Sequence, residues 1–283
     1  MKRKTWLVAL LLVLSLVALA ACSSGEEKTT EDGKKIIKVA LSDEVNPPYL
    51  YTDENNNPIG FDMDYLAEVE KRLEDYKFEY TFGEEEGNLI GVETGKFDFA
   101  INWFFKNPER EEKFLYPEQE FGYSLTALIV HEDTNDIKSL EDMVDKKLAP
   151  MGASGGLRTI LNSYNKQNPD QQVEIDTIEH PSNADNMNRV AEGKSDAVFL
   201  NKTTFDAIQE DLQLPLKIGG VVSKEPIYVV FKKDHTELAA KFDEITKELI
   251  EDGTLPELSE KWFGVNFFED LEYINQQNFE HKN

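Results

Sequence analysis

Short apolar runs alternate with stretches of helical periodicity along most of this chain, and that alternation restricts the fold more than any other feature. Each run is bounded by Gly, Pro or Asp, as strands commonly are. The predicted strands are residues 37–42, 98–103, 126–131, 196–201 and 227–231. Strands that alternate with helices are typical of an α/β fold, so we expect an α/β protein with largely parallel sheets.

Two of the intervening stretches have the period of an amphipathic helix. In the first, Leu66, Val69 and Leu73 recur behind Asp62, which we interpret as a possible helix cap. The second ends at Asp252-Gly253, a typical stop signal. Its apolar residues are Leu238, Phe242, Ile245 and Leu249.

A weak internal repeat indicates two similar lobes. Residues 92–102 and 190–200 share a Gly-Lys pair, an Asp three residues after the glycine, and then an apolar strand. Chance is the alternative, since Gly and Asp are common where a helix turns into a strand. Ligands of open α/β sheets bind beyond the carboxyl ends of the strands. A structural repeat would therefore bring Trp103 and Asn201 to a common cleft.

The first residues have the order of a secretory signal: a basic start, an apolar run and a small-residue stretch. We expect a signal peptide over residues 1–21, followed by Cys22, the single cysteine of the sequence. This junction resembles a bacterial lipobox, whose cysteine is lipidated; a membrane-spanning anchor and a plain signal with an incidental cysteine are the alternatives. Residues 22–35 are polar and predict a flexible tether. We therefore expect a body that is lipid-anchored at the extracytoplasmic face of a bacterial membrane.

The formal net charge of the chain is −25 at neutral pH. Such a surface repels polynucleotides, so we expect no nucleic-acid partner. A solvated acidic exterior that keeps an exported protein in solution explains the charge as well. The charge is therefore no guide to the ligand.

The strand at residues 98–103 runs into three successive aromatic residues, Trp103, Phe104 and Phe105. Side chains alternate faces along a strand. We therefore expect Trp103 and Phe105 to line a cleft and Phe104 to pack into its own lobe; burial of all three is the alternative. Arg110 follows an Asn-Pro turn, at the start of a predicted helix. An arginine there can bind a carboxylate bidentately, or it can pair with a neighbouring glutamate.

Signs of catalytic or metal chemistry are weak. Residues 149–160 form a Gly/Ser turn that opens a predicted helix, where backbone N–H groups and the Ser154 hydroxyl suit an anion. The turn matches the G-x-S-x-G pattern of serine hydrolases, but the four histidines stand in no recognisable motif. We expect neither a metal nor a cofactor, because no zinc, calcium, nucleotide or dinucleotide motif occurs. Residues 53–60 instead predict a β-turn.

Five segments, in this order, resemble the solute-binding lipoproteins of polar amino acid ABC importers, the bacterial extracellular solute-binding proteins of family 3. They are residues 46–69, 95–121, 152–160, 192–201 and 251–264. The resemblance implies a two-lobed, type II periplasmic-binding-protein-like fold, with two crossover strands and an interlobe ligand cleft. The ligand cores of ionotropic glutamate receptors are similar.

The resemblance also implies boundaries and partners. Lobe 1 would comprise residues 36–123 plus 227–264, lobe 2 residues 124–226, and a C-terminal extension residues 265–283, with crossovers near 121–129 and 224–230. We expect a monomer that binds an amino acid or a related small carboxylate and delivers it to a membrane permease.

Three positions match the ligand site of this family. Arg110 stands where the family binds the ligand α-carboxylate, Ser154 falls in the second-lobe loop that assists it, and Asp43 matches an acidic wall position. The resemblance therefore implies that Arg110 is the main anchor of the ligand.

Other positions depart from the family pattern. Phe105 stands where the family usually has Ser or Thr, and Asn201 stands where an Asp or Glu normally binds the ligand ammonium. Asn46 stands where an aromatic lid is common, and Trp103 replaces a small residue or proline. Loss of the carboxylate at Asn201 removes a charge-assisted bond of roughly 1.5–3 kcal/mol, unless Asp43 or Glu44 replaces it. The aromatic wall suits a ring or a cation. We therefore hypothesise a modified or aromatic amino acid, or a related acid, as the ligand.

A second hypothesis is an enzyme, since cyclohexadienyl dehydratases resemble this family and bind a carboxylated ring. Such an enzyme needs a general acid in its pocket, and the position that would supply it is the amide Asn201. We therefore favour a binding protein without catalytic activity.

Overall fold

The computed structural model describes residues 29–43, 46–106, 108–153, 156–179 and 182–271. The predicted signal peptide, Cys22, Glu44 and Ser154 lie outside these ranges, as does the end of the predicted C-terminal extension. Within the described ranges, no helix is both long enough and apolar enough to cross a membrane.

Strands and helices alternate through the described chain. The strands are β1 (Lys35–Ser42), β2 (Tyr51–Thr52), β3 (Pro58–Ile59), β4 (Tyr76–Gly83), β5 (Phe99–Phe104), β6 (Phe114–Leu115), β7 (Gly122–His131), β8 (Ala197–Asn201) and β9 (Leu216–Lys232). The helices are α1 (Phe61–Arg72), α2 (Glu85–Glu93), α3 (Pro108–Lys113), α4 (Gly156–Gln167), α5 (Asn183–Ala191), α6 (Lys202–Leu212), α7 (Thr236–Glu251) and α8 (Thr254–Phe263), with a 3-10 turn at Glu141–Met143. Each predicted strand and each predicted helix is present, and the predicted turn joins β2 to β3. Strand β4 was not predicted.

The main sheet has the strand order β4-β1-β5-β9-β7-β8, and β6 also pairs with β9. Among the described strands of this sheet, the parallel pairs are β1 with β4 and β1 with β5; the pairs that involve β7 or β9 are antiparallel. The prediction of largely parallel sheets is therefore wrong. The reason is that β7 leads out of one lobe and β9 leads back into it, so the two strands lie antiparallel.

β7 and β9 are the two crossover strands of the two-lobed fold. They pair along their length, from Gly122 opposite Ile227 to His131 opposite Leu216. Beyond this pairing, β9 bonds to β5 in the first lobe, while β7 bonds to β8 in the second. Each crossover strand therefore belongs to both lobes, as the resemblance implies. The residue boundaries of the lobes stay a prediction.

The core of the first lobe is rich in aromatic side chains. Phe242 on α7 lies at its centre, and its ring centroid is 6.1 Å from that of Phe78, 5.0 Å from that of Phe99 and 5.0 Å from that of Phe231. These rings come from three strands and one helix, so their packing joins α7 to the sheet.

The core of the second lobe is mostly aliphatic and lies on both faces of β7. Leu128 and Val130 pack into one cluster, whereas Ala127 and Ile129 pack into another with Met187 of α5. This is the alternation of side chains expected along a strand that is covered on both faces. A continuous apolar run such as residues 126–131 is the sequence signal of that burial.

The two copies of the internal repeat form the same turn. Gly95 and Gly193 follow helices α2 and α5 with φ of 79° and 70°, a left-handed conformation that favours glycine. Asp98 then accepts a hydrogen bond from the Lys38 backbone N–H (2.7 Å), and Asp196 accepts one from the Lys147 N–H (2.6 Å). The repeat is therefore structural and not a chance match.

Helix α1 begins differently from the prediction. Its N-cap is Gly60, at φ 130°, where an added Cβ would lie 2.2 Å from the Tyr49 carbonyl oxygen. Asp62, the predicted cap, lies inside the first turn with only 1% of its surface exposed. Burial raises the pKa of the Asp62 carboxyl well above its usual range. The prediction of Asp62 as the cap is wrong because the packed Tyr49 backbone leaves room only for glycine at the start of the helix.

Part of the predicted C-terminal extension is packed core. Val265 and Phe267 are buried, and the Phe267 ring centroid lies 4.6 Å from that of Phe263. The Ser259 hydroxyl donates to the Val265 carbonyl (2.6 Å) and accepts from the Phe267 N–H (2.9 Å). The described start of the extension therefore continues the first-lobe core.

Candidate ligand-binding site

The first-lobe half of the site lies at the carboxyl ends of β1, β4 and β5. Because these strands are parallel neighbours, their carboxyl ends meet at one edge of the sheet. Asp43 follows β1 directly, is exposed, and donates its backbone N–H to the Gly83 carbonyl at the end of β4 (3.1 Å). The predicted acidic wall position is therefore at this edge.

The three aromatic residues at the end of β5 differ in burial. Phe104 is 2% exposed and packs into an apolar cluster with Val92 and Phe114. Trp103 and Phe105 are only half-buried, and the Trp103 ring centroid is 5.3 Å from that of Tyr49. Full burial of all three is thus wrong, and burial alternates as predicted; that Trp103 and Phe105 line a cleft stays a prediction.

Arg110 is already paired with a carboxylate from another element. Helix α3 begins at Pro108, as predicted, and carries Arg110. Its Nη2 donates to Glu85 Oε1 at 2.8 Å, and its guanidinium carbon lies 5.2 Å from the centroid of the Phe104 ring. The alternative was a salt bridge between Arg110 and a glutamate close to it in sequence. The structure has a salt bridge to Glu85 instead, which is distant in sequence and is the first residue of helix α2.

Asn102 completes a network that the sequence did not reveal. Its Nδ2 donates to Glu85 Oε2 (3.1 Å), and its Oδ1 accepts the backbone N–H of Trp103 (3.0 Å). Asn102 is 8% exposed, so its orientation is held by the strand around it. One sequence signal was present: Glu85 follows β4 as Asp43 follows β1, so both lie at the edge of the sheet to which ligands bind.

Tyr116 borders the same arginine. Burial raises the pKa of Tyr116 to about 12, and the charge of Arg110 and a hydrogen bond to it act in the opposite direction. The Tyr116 hydroxyl also donates to the Phe105 carbonyl (3.3 Å). At neutral pH, Tyr116 is therefore an uncharged hydrogen-bonding neighbour of Arg110.

The predicted second-lobe residue of the site, Asn201, is uncharged. Asn201 ends β8 opposite Thr126 of β7, and its Oδ1 accepts a hydrogen bond from Thr126 Oγ1 at 3.1 Å. It is also the N-cap residue of α6, although its side chain makes no capping bond. The amide oxygen of Asn201 is therefore used within the second lobe.

The Gly/Ser turn opens helix α4, as predicted. Ser154 lies outside the described residues, so its role stays a prediction. The described part of the turn is held by Arg158, whose Nε donates to the Gly152 carbonyl (2.9 Å) and whose Nη2 donates to Thr177 Oγ1 (2.9 Å).

Asn46 lies in a tight loop beside the aromatic wall. Its backbone N–H donates to the Leu50 carbonyl (2.8 Å), and its carbonyl accepts from Tyr49, the residue whose ring contacts Trp103. The Asn46 Nδ2 atom is buried and has no hydrogen-bond partner within the described chain. Asn46 is thus close to the site, with an amide donor still to be satisfied.

The two described histidines each lie close to an aspartate. His235 lies 3.6 Å from Asp98, at the amino end of β5 and so at the opposite edge of the sheet from Arg110. His131 lies 3.5 Å from the exposed Asp133. Within the described ranges, no group of three or more His, Cys, Asp or Glu side chains is arranged to hold a metal ion. The arrangement of Arg110, Glu85 and Asn102 is suited to hydrogen bonding and charge pairing.

Residues 37–265 match the family model of the bacterial extracellular solute-binding proteins, family 3. The chain belongs to this family. The match covers both lobes and both crossover strands, and therefore the whole of the candidate site.

Proteins of Bacillus subtilis are similar to this chain over most of its length. The L-cystine-binding protein TcyK of Bacillus subtilis is 28% identical over 269 residues, which are 94% of this chain and 98% of that protein. YxeM of the same organism, described as a probable amino-acid-binding protein, is 31% identical over 266 residues, 93% of this chain and 96% of that protein. The crystal structure of the Bacillus subtilis protein ytmK, a probable amino-acid ABC transporter extracellular-binding protein, superposes with a TM-score of 0.71 at 27% identity and covers 82% of this chain and 98% of that one.

Proposed function

We propose that this protein is the substrate-binding protein of an amino-acid ABC importer, and that it takes L-cystine or a similar amino acid between its lobes and delivers it to a permease. The family match over residues 37–265 carries the importer role. The similarity to the L-cystine-binding protein TcyK over nearly the whole of both chains supports the ligand class. L-cystine is a modified amino acid, in agreement with the unusual residues at the site.

The site supports recognition of an amino acid from the first lobe. The Arg110 side chain is 26% exposed, so part of it can be reached by a ligand, and a guanidinium binds carboxylates well. Trp103 and Phe105 offer half-buried apolar surface at the same strand end, which suits the methylene and disulfide portion of L-cystine. The uncharged Asn201 and the predicted Ser154 would contact the ligand from the second lobe.

The proposal includes a location. We propose that the protein is a monomer on the extracytoplasmic face of the membrane and that a lipid on Cys22 anchors it there. Two acyl chains hold a protein on a membrane stably, whereas a single chain binds reversibly. Substitution Cys22→Ser in the producing bacterium is expected to move the protein from the membrane fraction to the medium or periplasm. Unchanged retention in the membrane would contradict the anchor.

The ligand is tested by thermal unfolding of the purified protein against L-cystine, glutamate, glutamine, aromatic amino acids and small carboxylates. A ligand present at a hundredfold excess over its Kd stabilises the folded state by about 2.7 kcal/mol, which gives a clear shift in Tm. We expect L-cystine to give the largest shift. A larger shift with glutamate or glutamine would overturn the assignment of L-cystine, and no shift with any amino acid would overturn the binding function.

A further inference from the structure

We propose that Glu85 binds the ammonium group of the ligand, so that the whole charged head of an amino acid is held by the first lobe. This inference rests on the proposed function. It is carried by the contact of Arg110 with Glu85 at 2.8 Å and by the uncharged Asn201 at the second-lobe position. It makes Glu85 a specificity-determining residue.

The adjacent charges of Arg110 and Glu85 are complementary to those of an amino acid head. In an α-amino acid the carboxylate and the ammonium group are attached to the same carbon, so the two charges lie side by side. Arg110 and Glu85 present a guanidinium and a carboxylate that are likewise adjacent. The positive guanidinium can face the ligand carboxylate, and the negative carboxylate can face the ligand ammonium group. A zwitterion can therefore lie across the pair, its carboxylate on Arg110 and its ammonium on Glu85.

Glu85 has bonding capacity left for this role. A carboxylate has about four lone-pair sites, and the hydrogen bonds from Arg110 and Asn102 use one on each oxygen. The Glu85 side chain is 39% exposed, so a ligand can reach the remaining sites. Binding of the ligand ammonium therefore does not require that the bond to Arg110 be broken.

Glu85 is also held in place before a ligand arrives. Asn102, which bonds Glu85, is buried and is itself fixed by the backbone of Trp103. Glu85 is the first residue of α2, where the helix dipole favours a carboxylate. A preorganised acceptor loses little conformational entropy when it binds a cation.

The second lobe offers no charged partner for the ligand ammonium group at Asn201. The Oδ1 atom of Asn201 already accepts from Thr126, and an amide lacks the charge that pairs with an ammonium group. Asp43 also lies at the first-lobe edge, but the described contacts join Glu85, and not Asp43, to Arg110. Glu85 is therefore the carboxylate placed to act together with the arginine.

The test uses Glu85→Gln, which keeps the shape of the side chain and an acceptor oxygen for Arg110. Two probes are compared by calorimetry: L-cystine, and dithiodipropionic acid, which has the same disulfide and carboxylates but no amino groups. We expect Glu85→Gln to weaken L-cystine binding about tenfold, the loss expected when a charged hydrogen bond becomes a neutral one. Binding of dithiodipropionic acid should be unchanged or tighter, because a competing carboxylate has been removed.

Glu86→Gln is the matched control, since Glu86 is the next residue of α2 and is exposed. It should bind both probes as the wild type does. Equal L-cystine affinity in Glu85→Gln and wild type overturns the inference and leaves the proposed function intact. A parallel loss for both probes also overturns it, because Glu85 would then only position Arg110.

Failure of the proposed function gives a different result. If the wild type binds no amino acid, the function falls, and the inference with it. If it binds another amino acid in place of L-cystine, that amino acid and its counterpart without the amino group become the two probes, and the same comparison decides on Glu85.

Discussion

The two lobes contribute differently to the candidate site. In the first lobe, Arg110, Glu85 and Asn102 form a charged network on the ends of a parallel set of strands. In the second lobe, the corresponding strand end carries Asn201, which is uncharged and bonded to Thr126. The comparison teaches that similar turns and strands do not imply similar chemistry, because the side chains just beyond the strand ends are free to differ.

The cores of the two lobes also differ in composition. The first-lobe core contains many aromatic rings, whereas aliphatic side chains cover both faces of β7 in the second. Large rings bury more area for each side chain and pack with specific geometry. The lobe with the charged network is therefore also the one with the more aromatic core.

The largest expected effect is on stability. Phe242→Ala should destabilise the protein by about 3–5 kcal/mol, because the substitution leaves a cavity among three aromatic rings. Met187→Ala, in the second-lobe core, is the matched change and should cost less, since fewer large side chains lose a partner. Denaturant unfolding measures both. An equal or larger loss for Met187→Ala would break the comparison of the two cores.

The next effect is on binding. Arg110→Ala should weaken L-cystine binding on the order of a hundredfold, since it removes a charge-assisted pair and leaves Glu85 as an unpaired carboxylate. Arg72→Ala is the control, because Arg72 pairs with Glu68 and Asp252 at the amino end of the sheet. Calorimetry should give wild-type affinity for the control. Wild-type affinity in Arg110→Ala would remove the first lobe from the charge recognition.

A smaller effect tests the second lobe. Asn201→Asp should change L-cystine binding by less than about threefold in the wild type, because Glu85 already takes the ammonium group. In Glu85→Gln, the same substitution should recover part of the lost affinity, since the new carboxylate supplies the missing charge. Titrations of the double and single variants measure this coupling. Strong tightening in the wild type would mean that the ammonium group lacks a partner in the first lobe.

The last effect concerns pH. The pKa of Asp62 is raised by burial, so in the folded state its carboxyl keeps its proton at pH values where the unfolded chain has released it. Above about pH 3.9, the usual Asp value, the contribution of Asp62 to stability therefore falls as pH rises, until the folded-state pKa is passed. Asp62→Asn should remove this loss, so that its Tm relative to wild type rises with pH. A relative Tm that falls with pH, or stays constant, would contradict the assignment.

Several features were accessible from sequence because they depend on nearby residues. The strands follow from apolar runs, the helix α7 from its period and stop signal, and the turns at Gly95 and Gly193 from the repeated pattern. The half-buried positions of Trp103 and Phe105 follow from the alternation of side chains on a strand. The position of Arg110 at the site came from the family resemblance, and its role stays a proposal.

Other features depended on contacts between distant residues. Asp62 has the composition of a helix cap, yet the approach of Tyr49 reserves that position for Gly60. The sheet directions were mistaken because both crossover strands take part in one continuous sheet. Local patterns carry no information about such packing.

By itself, the sequence predicted the strands β1, β5, β7, β8 and β9, although not β4, and it placed an arginine after an aromatic strand end. These are consequences of side-chain period, turn chemistry and proline geometry, which act over a few residues. Only the tertiary structure decided that Glu85, 25 residues before Arg110, would pair with it, and that Asn102 would hold the pair in place. The reason is that the ends of parallel neighbouring strands meet in space, whatever their separation along the chain.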